Sequence, residues 1–507
     1  MKQKILFFLF TLLLPYTLHA QKEANNWFFG YGCGITWNTT QDVQVQGVFG
    51  TPNATLSGLP TNITPPATIP ISTFEGSFAL SDGNGQLLFY SDGTKIWNKN
   101  HQEMSNGSGL TGHWSSTQSG IVIPYPEHEN QYMVITIAAQ ENSNIASLAY
   151  SIIDMTLDSG LGGVVPTQKN KLFTGGMGKL MEAVTSVMHA NGKDYWVLAP
   201  GVLEYAAVPL NIWLVTKDGI SSTPNIIPLL GMLPGGNNVG HMKISPNGKY
   251  FVRSANFERQ ILLGKFDDAT GTLSDMQIIS TAEQFYGVEF SASGEYLYVS
   301  ASYDHLLRVY KTADLLAGTS TFLQYSIPVE LGNTYAASAG ALQLGPDGRM
   351  YMAVDGGTFL YVIDNPEDYG NLRIYKTPSL GSGRKSGAGL PTFSASWWNL
   401  NIDDIETDPV LPACKGTGIT FTAKLSSTDL SQIASIKWNF GDGFVIDDTN
   451  IGTSISQNHT YTKAGQYTLT LTPYDTNGDP LTAMEKTQPV KISGCVMPVN
   501  PNIHILH

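Results

Sequence analysis

The hydrophobic and polar positions of the chain repeat a hairpin pattern at long intervals. Each copy has an apolar strand, a short polar turn ending in Gly, and a second strand rich in aromatic residues, as in 241–252 and 287–299. Asn-Gly, Asp-Gly and Ser-Gly favour tight hairpin turns because glycine adopts a positive φ without steric cost. The turn glycines of five copies are Gly85, Gly192, Gly248, Gly294 and Gly348.

The spacing of these glycines predicts the architecture. They are 107, 56, 46 and 54 residues apart, which indicates a period near 50 and one further copy, 118–136, inside the first interval. Third apolar strands follow at 211–216, 305–310 and 358–363. A period near 50 with three or four strands per copy is typical of a β-propeller, because one such sheet cannot bury both of its faces alone.

The two ends of the repeat region carry complementary parts of one more unit. Residues 389–396 match an inner strand, since Phe393-Ser-Ala-Ser repeats Phe290-Ser-Ala-Ser, but no outer strands follow. Residues 26–37 hold two strands with no inner strand before them. We expect both ends to share one mixed sheet, with Trp27 beside Phe393, because this removes open sheet edges.

The predicted fold class is therefore all-β, a seven-bladed β-propeller followed by an immunoglobulin-type β-sandwich. Six blades remain the alternative, because insertions at 49–72 and 101–117 blur the period. After the propeller, an acidic segment precedes alternating strands with no helical pattern. The predicted divisions are a propeller over 24–400, a linker over 401–409, a sandwich over 410–496 and a tail over 497–507.

The N-terminus predicts export. Lys2 and Lys4 precede an apolar run, and Leu18-His19-Ala20 supplies a cleavage site, so residues 1–20 are predicted to be a signal peptide. An exported chain can form disulfides. Cys414 and Cys495 bracket the sandwich and are the natural pair, which leaves Cys33 as a buried apolar residue.

The amino-acid composition and net charge exclude some classes of partner. Hydrophobic residues make up 42% and charged residues 14% of the chain, with 52 Gly, 23 Tyr and 21 Phe, as suits short strands and tight turns. The net charge of −13 argues against nucleic acid and anionic lipid as partners. No later apolar stretch is long enough for a transmembrane segment.

Two motifs of the C-terminal part resemble the PKD family. They are Trp438-Asn-Phe-Gly-Asp-Gly443 and the later His459-Thr-Tyr461 with Gly465-Gln-Tyr467. The resemblance implies a non-catalytic spacer or binding module on an extracellular protein.

The N-terminal part resembles, on other residues, propeller proteins exported by Bacteroidota, often surface proteins linked to type IX secretion and gliding. The resemblance rests on 26–30, on 87–98 and on 115–123. Such proteins often end in a sorting domain, and none follows the PKD-like part here. We therefore expect either the cell surface, the outer membrane or the extracellular space, with the periplasm as an alternative.

Propellers usually act at the end where loops enter the inner strands. Two carboxylates and one imidazole are among the residues predicted there, and they have the chemistry for a cation or for acid–base work. The alternative, which we favour, is a hydrogen-bonded ring that closes the channel. The residues predicted to line this end are Glu75, Gln118, Glu182, His241, Tyr286, Ser338 and Arg384.

Other candidates are fewer. Trp114, in a polar segment, is the best candidate for an exposed platform on which a sugar could stack. A calcium site is one interpretation of Asp442, Asp447 and Asp448 in the sandwich. An aspartate at the position of Asp442 more often caps a turn than binds a metal ion. No catalytic triad, nucleophile elbow, zinc motif or phosphate loop occurs, so no catalytic residue, metal ligand or other cofactor is predicted.

Three functions follow from these features. The favoured one is a non-enzymatic binding or scaffold protein that presents the loop face of the propeller to a protein or glycan partner at the envelope. The alternative is an extracytoplasmic lyase or hydrolase that acts on polysaccharide or lactone with Glu75, Glu182 and His241. The third is an accessory component of a secretion or outer-membrane assembly, with a membrane-protein complex as its partner.

Overall fold

The computed structural model describes most of the chain. The described residues are 22–64, 69–141, 148–180, 182–203, 208–233, 239–302, 304–319, 321–326, 339–398, 401–426, 433–452, 454–474, 478, 480 and 486–494. The predicted signal peptide, Ser338, Cys495 and the tail from residue 497 therefore lie outside the described residues.

The N-terminal region begins with a long antiparallel pair and a third strand. Trp27 lies opposite Ile35 in this pair. A second ladder joins the middle strand to the third, with Val43 opposite Leu56. The strands are β1 (Asn26–Phe29), β2 (Cys33–Val48) and β3 (Ala54–Asn62).

Two antiparallel sheets follow and are joined edge to edge, because Gly163 pairs in parallel with Ser105. Short 3₁₀ turns lie at Asp158–Gly160 and Pro166–Gln168. The first sheet contains β4 (Phe78–Ser81), β5 (Leu87–Ser91), β6 (Lys95–Asn98) and β7 (Glu103–Ser108). The second contains β8 (Gly120–Pro124), β9 (Gln131–Ile137), β10 (Leu148–Asp154), β11 (Gly163–Val164) and β12 (Lys171–Leu172).

Four further sheets complete the repeat, and one short helix, α1 (Thr312–Leu316), interrupts them. The third contains β13 (Lys179–Leu180), β14 (Thr185–Met188), β15 (Tyr195–Val202), β16 (Pro209–Thr216), β17 (Gly219–Ile220) and β18 (Asn225–Pro228). The fourth contains β19 (Met242–Ile244), β20 (Tyr250–Ala255), β21 (Gln260–Asp267) and β22 (Thr272–Ser280). The fifth contains β23 (Phe285–Phe290), β24 (Tyr296–Ala301), β25 (Leu306–Lys311) and β26 (Phe322–Ser326). The sixth contains β27 (Ala339–Leu344), β28 (Met350–Val354), β29 (Tyr361–Ile363) and β30 (Ile374–Lys376).

The predicted hairpins are confirmed in all six copies. Each inner strand pairs antiparallel with the strand after its turn, including the longer-turned copy formed by β8 and β9. Gly248 and Gly294 adopt positive φ angles of 72° and 78°, as the predicted turns require. The region is all-β and propeller-like, with its apolar side chains buried between neighbouring sheets.

The two ends of the repeat meet, but not in the predicted mixed sheet. Residues 46–48 at the end of β2 pair with β30, so the N-terminal strands extend the sixth sheet. The rings of Trp27 and Phe393 pack with centroids 6.0 Å apart. Among the described residues, however, no ladder joins their segments.

A physical reason for this correction lies in the last segment of the region. Pro391 has no N–H to donate and forms one isolated bridge with Ser77. The chain then turns into a 3₁₀ helix at Ala395–Trp397. Ser394 donates to the carbonyl of Ser186 over 3.2 Å, so this segment reaches the third sheet instead of following β1.

The C-terminal part is a separate β-sandwich with its own core. One sheet has the order β31, β33, β36, and the other β32, β38, β37, β34, β35. Trp438 and Phe440, from the predicted motif, are fully buried in that core. The strands are β31 (Asn401–Asp408), β32 (Ala413–Cys414), β33 (Gly418–Ser426), β34 (Ser435–Asn439), β35 (Val445–Asp448), β36 (Ser454–Thr460), β37 (Gly465–Tyr474) and β38 (Lys486–Ser493).

The linker expected at 401–409 is instead the first strand of this sandwich. β31 pairs with β33 over most of its length, with Thr407 opposite Phe421. Its acidic residues suggested a solvated segment, but backbone pairing in a sheet makes no demand on the outward side chains. Across the described part of the chain, no helix has the length and apolar character to span a bilayer.

Candidate functional site

Five of the predicted residues meet around the start of the inner strands. Backbone hydrogen bonds join these positions directly. Gln118 N–H donates to the carbonyl of Glu182 over 2.8 Å, and His241 N–H donates to that of Tyr286 over 3.1 Å. We call this end of the sheets the mouth end, and the end with the glycine turns the hairpin end. The five buried residues at the mouth end are Glu75, Gln118, Glu182, His241 and Tyr286.

A hydrogen bond across the channel joins the first and fifth sheets. The Tyr286 hydroxyl donates to Glu75 Oε1 over 2.7 Å, although the two residues are 211 positions apart. Ser115 Oγ donates to the other carboxyl oxygen over 3.3 Å. Because both carboxyl oxygens are engaged within the protein, Glu75 ties the sheets together at the mouth end.

Gln118 forms a second link, from the second sheet to the fourth. Its side-chain Nε2 donates to the carbonyl of Met242 over 3.1 Å, and its Oε1 accepts the Met242 N–H over 2.9 Å. The amide therefore completes the free edge of the inner strand β19 and occupies the channel beside it.

The carboxylate of Glu182 accepts three hydrogen bonds from residues just before β8 and just after β9. Its Oε2 accepts from both the N–H and the hydroxyl of Thr117 over 3.1 Å, and its Oε1 accepts the Gln140 N–H over 2.5 Å. The residue has a φ of 74°, an unfavourable backbone conformation for a non-glycine residue. The three hydrogen bonds offset that strain.

Burial dominates the electrostatics of this cluster. Burial and the nearby charge of Glu182 raise the pKa of Glu75 to about 8, although the bonds from Tyr286 and Ser115 act in the opposite direction. Burial raises the pKa of Glu182 to about 7 against its hydrogen bonds. Burial, together with Glu75, raises the pKa of Tyr286 well above its usual value. Glu75 is therefore mostly protonated at neutral pH.

His241 is a neutral imidazole. Burial and then the charge of Lys243 lower its pKa to about 3. Its ring packs edge-on against the ring of Tyr286, with centroids 5.0 Å apart. Neither ring nitrogen has a hydrogen-bond partner among the described residues.

A polar cluster deeper in the channel was missed by the sequence analysis. Lys243 Nζ donates to Glu289 Oε2 over 2.7 Å and to Gln343 Oε1 over 2.5 Å, and all three side chains are buried. They come from the inner strands of the fourth, fifth and sixth sheets. The signal was present, because each is a polar residue between apolar neighbours in an inner strand.

The remaining predicted residues lie outside this cluster. Arg384 Nη1 donates to the carbonyl of Ile63 over 2.9 Å and contacts none of the mouth-end carboxyls. Trp114 is exposed, and only its backbone carbonyl reaches the cluster, by accepting the Glu75 N–H over 3.1 Å. Cys33 is buried, and burial raises the pKa of its thiol to about 12, which makes it unreactive.

Asp442 in the sandwich caps a turn and is engaged by a histidine. Its Oδ1 accepts the Phe444 N–H over 3.1 Å, and its Oδ2 lies 2.8 Å from His459 Nε2. Asp448 accepts from Asn450 and Gln457. Within the described segments, no group of three or more acidic, histidine or cysteine residues is placed to hold a metal ion.

Side-chain hydrogen bonds cross the mouth end at two places, between Glu75 and Tyr286 and between Gln118 and Met242. A cleft of about 360 Å³ opens elsewhere, between the N-terminal strands and the first sheet, and it includes none of the predicted residues. Asn26, Phe28, Asn38 and His101 are among the residues that line it. The buried cluster at the mouth end can link the sheets of the propeller-like region and hold protons.

Comparison with known proteins identifies the C-terminal part. Residues 404–491 match the family model for the PKD domain. No curated protein sequence matches the chain. Over 18% of this chain and 95% of its own length, the PKD1 domain of the Vibrio cholerae metalloprotease PrtV is 26% identical, with a TM-score of 0.14.

Solved structures similar to the N-terminal part are distant. A putative 6-phosphogluconolactonase from Bacteroides uniformis is 12% identical over 76% of this chain and 98% of its own, with a TM-score of 0.37. The periplasmic gluconolactonase of Pseudomonas aeruginosa is 12% identical over 79% of this chain and 92% of its own, also with a TM-score of 0.37. Similarity at this level carries no conclusion about activity. The chain thus joins a propeller-like all-β region to a PKD domain over residues 404–491.

Proposed function

We propose that the protein is an exported, non-enzymatic binding or scaffold protein of the cell envelope, which uses the mouth end of its propeller to hold a partner. The PKD domain acts as a spacer or docking module behind it. A component of a secretion or outer-membrane assembly, including one linked to type IX secretion, would have this organisation.

The distribution of exposed apolar side chains carries this proposal. Large exposed apolar residues on connecting loops cluster at the mouth end, and Leu230 and Leu233 are 74% and 57% exposed. Of the exposed apolar residues described outside the sandwich, Leu157 lies at the hairpin end and three others lie on outer strands. Such one-sided exposure marks interaction surfaces. The exposed mouth-end residues are Tyr31, Trp114, Met177, Leu230, Leu233 and Phe257.

The two side-chain links at the mouth end support binding over catalysis. Two hydrogen-bonded links cross the mouth end, one between Glu75 and Tyr286 and one between Gln118 and Met242. The five residues of the mouth-end cluster are all buried, each with less than a tenth of its surface exposed. A substrate would have to break these links before it reached a reactive group. A rigid ring, by contrast, fixes the surrounding loops for recognition.

We further propose that seven units close the propeller. Six are the sheets whose inner strands are β4, β8, β14, β19, β23 and β27, and the seventh inner segment is 387–394, which packs against β1–β3 without forming a ladder with them. Ala341 N–H donates to the carbonyl of Ala388 over 2.7 Å, and Thr392 N–H donates to that of Ser77 over 2.8 Å. These bonds support a seventh inner segment between the sixth sheet and the first.

Capture from the native envelope tests the binding function. Tagged full-length protein, Leu230→Ser/Leu233→Ser and the hairpin-end control Leu157→Ser are compared by affinity purification and mass spectrometry. We expect the control to retain the wild-type partner and the double variant to lose it, because only the latter alters the mouth end. Recovery of the same proteins by all three forms would overturn the proposal.

A second function, a lyase or hydrolase, is favoured by one observation. Glu75 holds a proton near neutral pH beside the hydroxyl of Tyr286, as a general acid would. Turnover of polysaccharides and lactones by the wild type, lost in a folded Glu75→Gln variant, would establish this function instead. Absence of turnover in the wild type agrees with the binding function.

A further inference from the structure

Two exposed aromatic residues flank one short segment at the mouth end. Tyr31 forms a bridge with Ser72, and the Thr73 N–H donates to the carbonyl of Gly30 over 3.0 Å. On the other side, the carbonyl of Trp114 accepts from Thr73 Oγ1 over 2.8 Å. Residues 72–75 therefore hold both aromatic residues beside the cross-channel link of Glu75.

The two rings are exposed although their backbones are fixed. Tyr31 is 40% and Trp114 is 47% exposed, whereas Trp27 and Trp213 are fully buried. Tyr31 N–H also donates to the carbonyl of Lys385 over 2.8 Å, which fastens it to the closing loop. Tyrosine and tryptophan on a fixed backbone offer large rigid surfaces that lose little conformational entropy on binding.

Carboxylates lie around these rings. Glu141 is exposed, and its Oε1 lies 4.0 Å from Nδ1 of His113, whose ring is next to that of Trp114 with centroids 5.4 Å apart. Nδ1 of His113 accepts the Ser115 N–H over 3.2 Å, so the imidazole is held in place. Asp355 is partly exposed, and the next residue, Gly356, donates its N–H to the carbonyl of Ser386 over 2.9 Å, beside the Lys385 carbonyl that accepts from Tyr31.

Flat aromatic faces beside carboxylates match the chemistry of a sugar. A pyranose ring presents apolar C–H groups on its faces and hydroxyl donors at its edge. An aromatic ring takes the first, and carboxylate oxygens accept the second through charge-assisted hydrogen bonds. The charges beside the rings are mixed, because the exposed Lys385 adjoins Tyr31 while Glu141 and Asp355 are acidic, so neither an acidic nor a basic sugar is favoured over a neutral one.

We propose that Tyr31 and Trp114 form a binding subsite for a neutral polysaccharide, with Glu141 and Asp355 accepting hydrogen bonds from its hydroxyls. This deepens the proposed function by naming a glycan as the partner of one sector of the mouth end. It leaves the apolar sector with Leu230 and Leu233 to a protein.

Titration with neutral oligosaccharides tests the subsite. Full-length protein is titrated calorimetrically with hexasaccharides of glucose, xylose, mannose and N-acetylglucosamine. We expect at least one to bind and Trp114→Ala or Tyr31→Ala to weaken it by at least about tenfold, as loss of an aromatic anchor does. Phe322→Ala is the matched control, since Phe322 is 41% exposed but lies on the outer strand β26, away from the mouth end. It should bind as the wild type does.

Further outcomes separate this proposal from the binding function itself. Glu141→Gln and Asp355→Asn should each weaken the same oligosaccharide, and thermal unfolding must show that every variant is folded. No binding of any hexasaccharide, or equal binding by Trp114→Ala, would overturn the subsite. If Trp114→Ala instead loses an envelope protein that wild type captures, the sector binds protein, and only the glycan assignment fails.

Discussion

Glu75 is an acid buried in the wall of the channel, and its protonation is tied to the folded state. Its two carboxyl oxygens accept from Tyr286 and Ser115, which would favour the charged form, but burial has the larger effect and its pKa rises to about 8. In the unfolded chain the same group has a pKa near 4.5. Between these values the folded protein holds a proton that the unfolded chain releases.

The free energy of unfolding should therefore fall as the pH rises. The contribution of Glu75 is fully present below about pH 4.5 and is lost as the pH rises through about 8. The slope in this window is on the order of 1 kcal/mol per pH unit, and Glu182 adds to it up to about pH 7. Urea unfolding at pH 5, 6.5 and 8 measures it.

Substitution assigns this slope to one residue. Glu75→Gln keeps an acceptor for Tyr286 without a charge, so its stability should depend less on pH than that of the wild type. The exposed Glu129→Gln, at the hairpin end, serves as control and should keep the wild-type slope. Equal slopes in all three proteins would contradict the role of Glu75.

The buried Lys243 cluster predicts an asymmetry between single and double variants. Lys243→Met leaves the Glu289 carboxylate buried without its cation, which costs about 3–5 kcal/mol of unfolding free energy. Lys243→Met/Glu289→Leu removes both charges and should recover much of that loss. Urea unfolding checks this, and a single variant as stable as the wild type would show that the pair is not needed.

At the scale of elements, neighbouring sheets are joined near the axis by hydrogen bonds that repeat with the sequence. Ser254 in β20 donates to the carbonyl of Tyr286, and Ser300 in β24 donates to that of Gly340, each over 2.5 Å. Both serines stand before the last Ala of their strand, so one repeated residue makes one repeated contact. The closing segment, residues 387–394, contacts the sixth and first sheets through backbone hydrogen bonds instead. This close backbone contact leaves no room for side chains.

Gly389 is where that approach is closest. A Cβ at this position would lie 1.9 Å from the carbonyl oxygen of Glu75, so Gly389→Ala must push the closing segment from the first sheet. Overpacking of this kind costs about 1–3 kcal/mol. Gly370→Ala is the matched control, because no atom lies within 4 Å of the added carbon. Thermal unfolding of both variants measures the difference, and equal midpoints would show that closure tolerates displacement.

At the scale of the whole molecule, the C-terminal sandwich brings its two ends together. Cys414 lies opposite Ser493 in the parallel pair of β32 and β38, two residues before Cys495. Cys495 lies outside the described residues, so the disulfide stays a prediction. Its position would tie the first and last strands of that sheet.

Thiol counting tests the disulfide. After denaturation without reductant, alkylation should modify one cysteine, Cys33, and after reduction it should modify all three. Cys414→Ser/Cys495→Ser should lower the unfolding free energy of the sandwich by about 4 kcal/mol, because a closed loop of this length restricts the unfolded chain. Cys33→Ser should leave that transition unchanged. Labelling of three thiols without reductant would refute the pairing.

Local pattern predicted a large part of this molecule. The hairpins around Gly248 and Gly294 followed from turn chemistry and alternating apolar residues, which act over a few neighbours. The buried Trp438 motif of the PKD domain did so as well. Five of the six predicted mouth-end residues that the structure describes also came together, because inner strands that begin at one end must converge.

Which side chains meet in the channel depends on the packing of the folded chain. Glu75 finds Tyr286, and Gln118 finds Met242, across the channel and between sheets that are not neighbours, which a repeat pattern does not encode. The strands and hairpins of the sheets could be predicted from the amino-acid sequence alone, since strand periodicity and turn residues act locally. Closure through Pro391 and the exposure of Trp114 depend on how distant segments share space, and packing alone settles that.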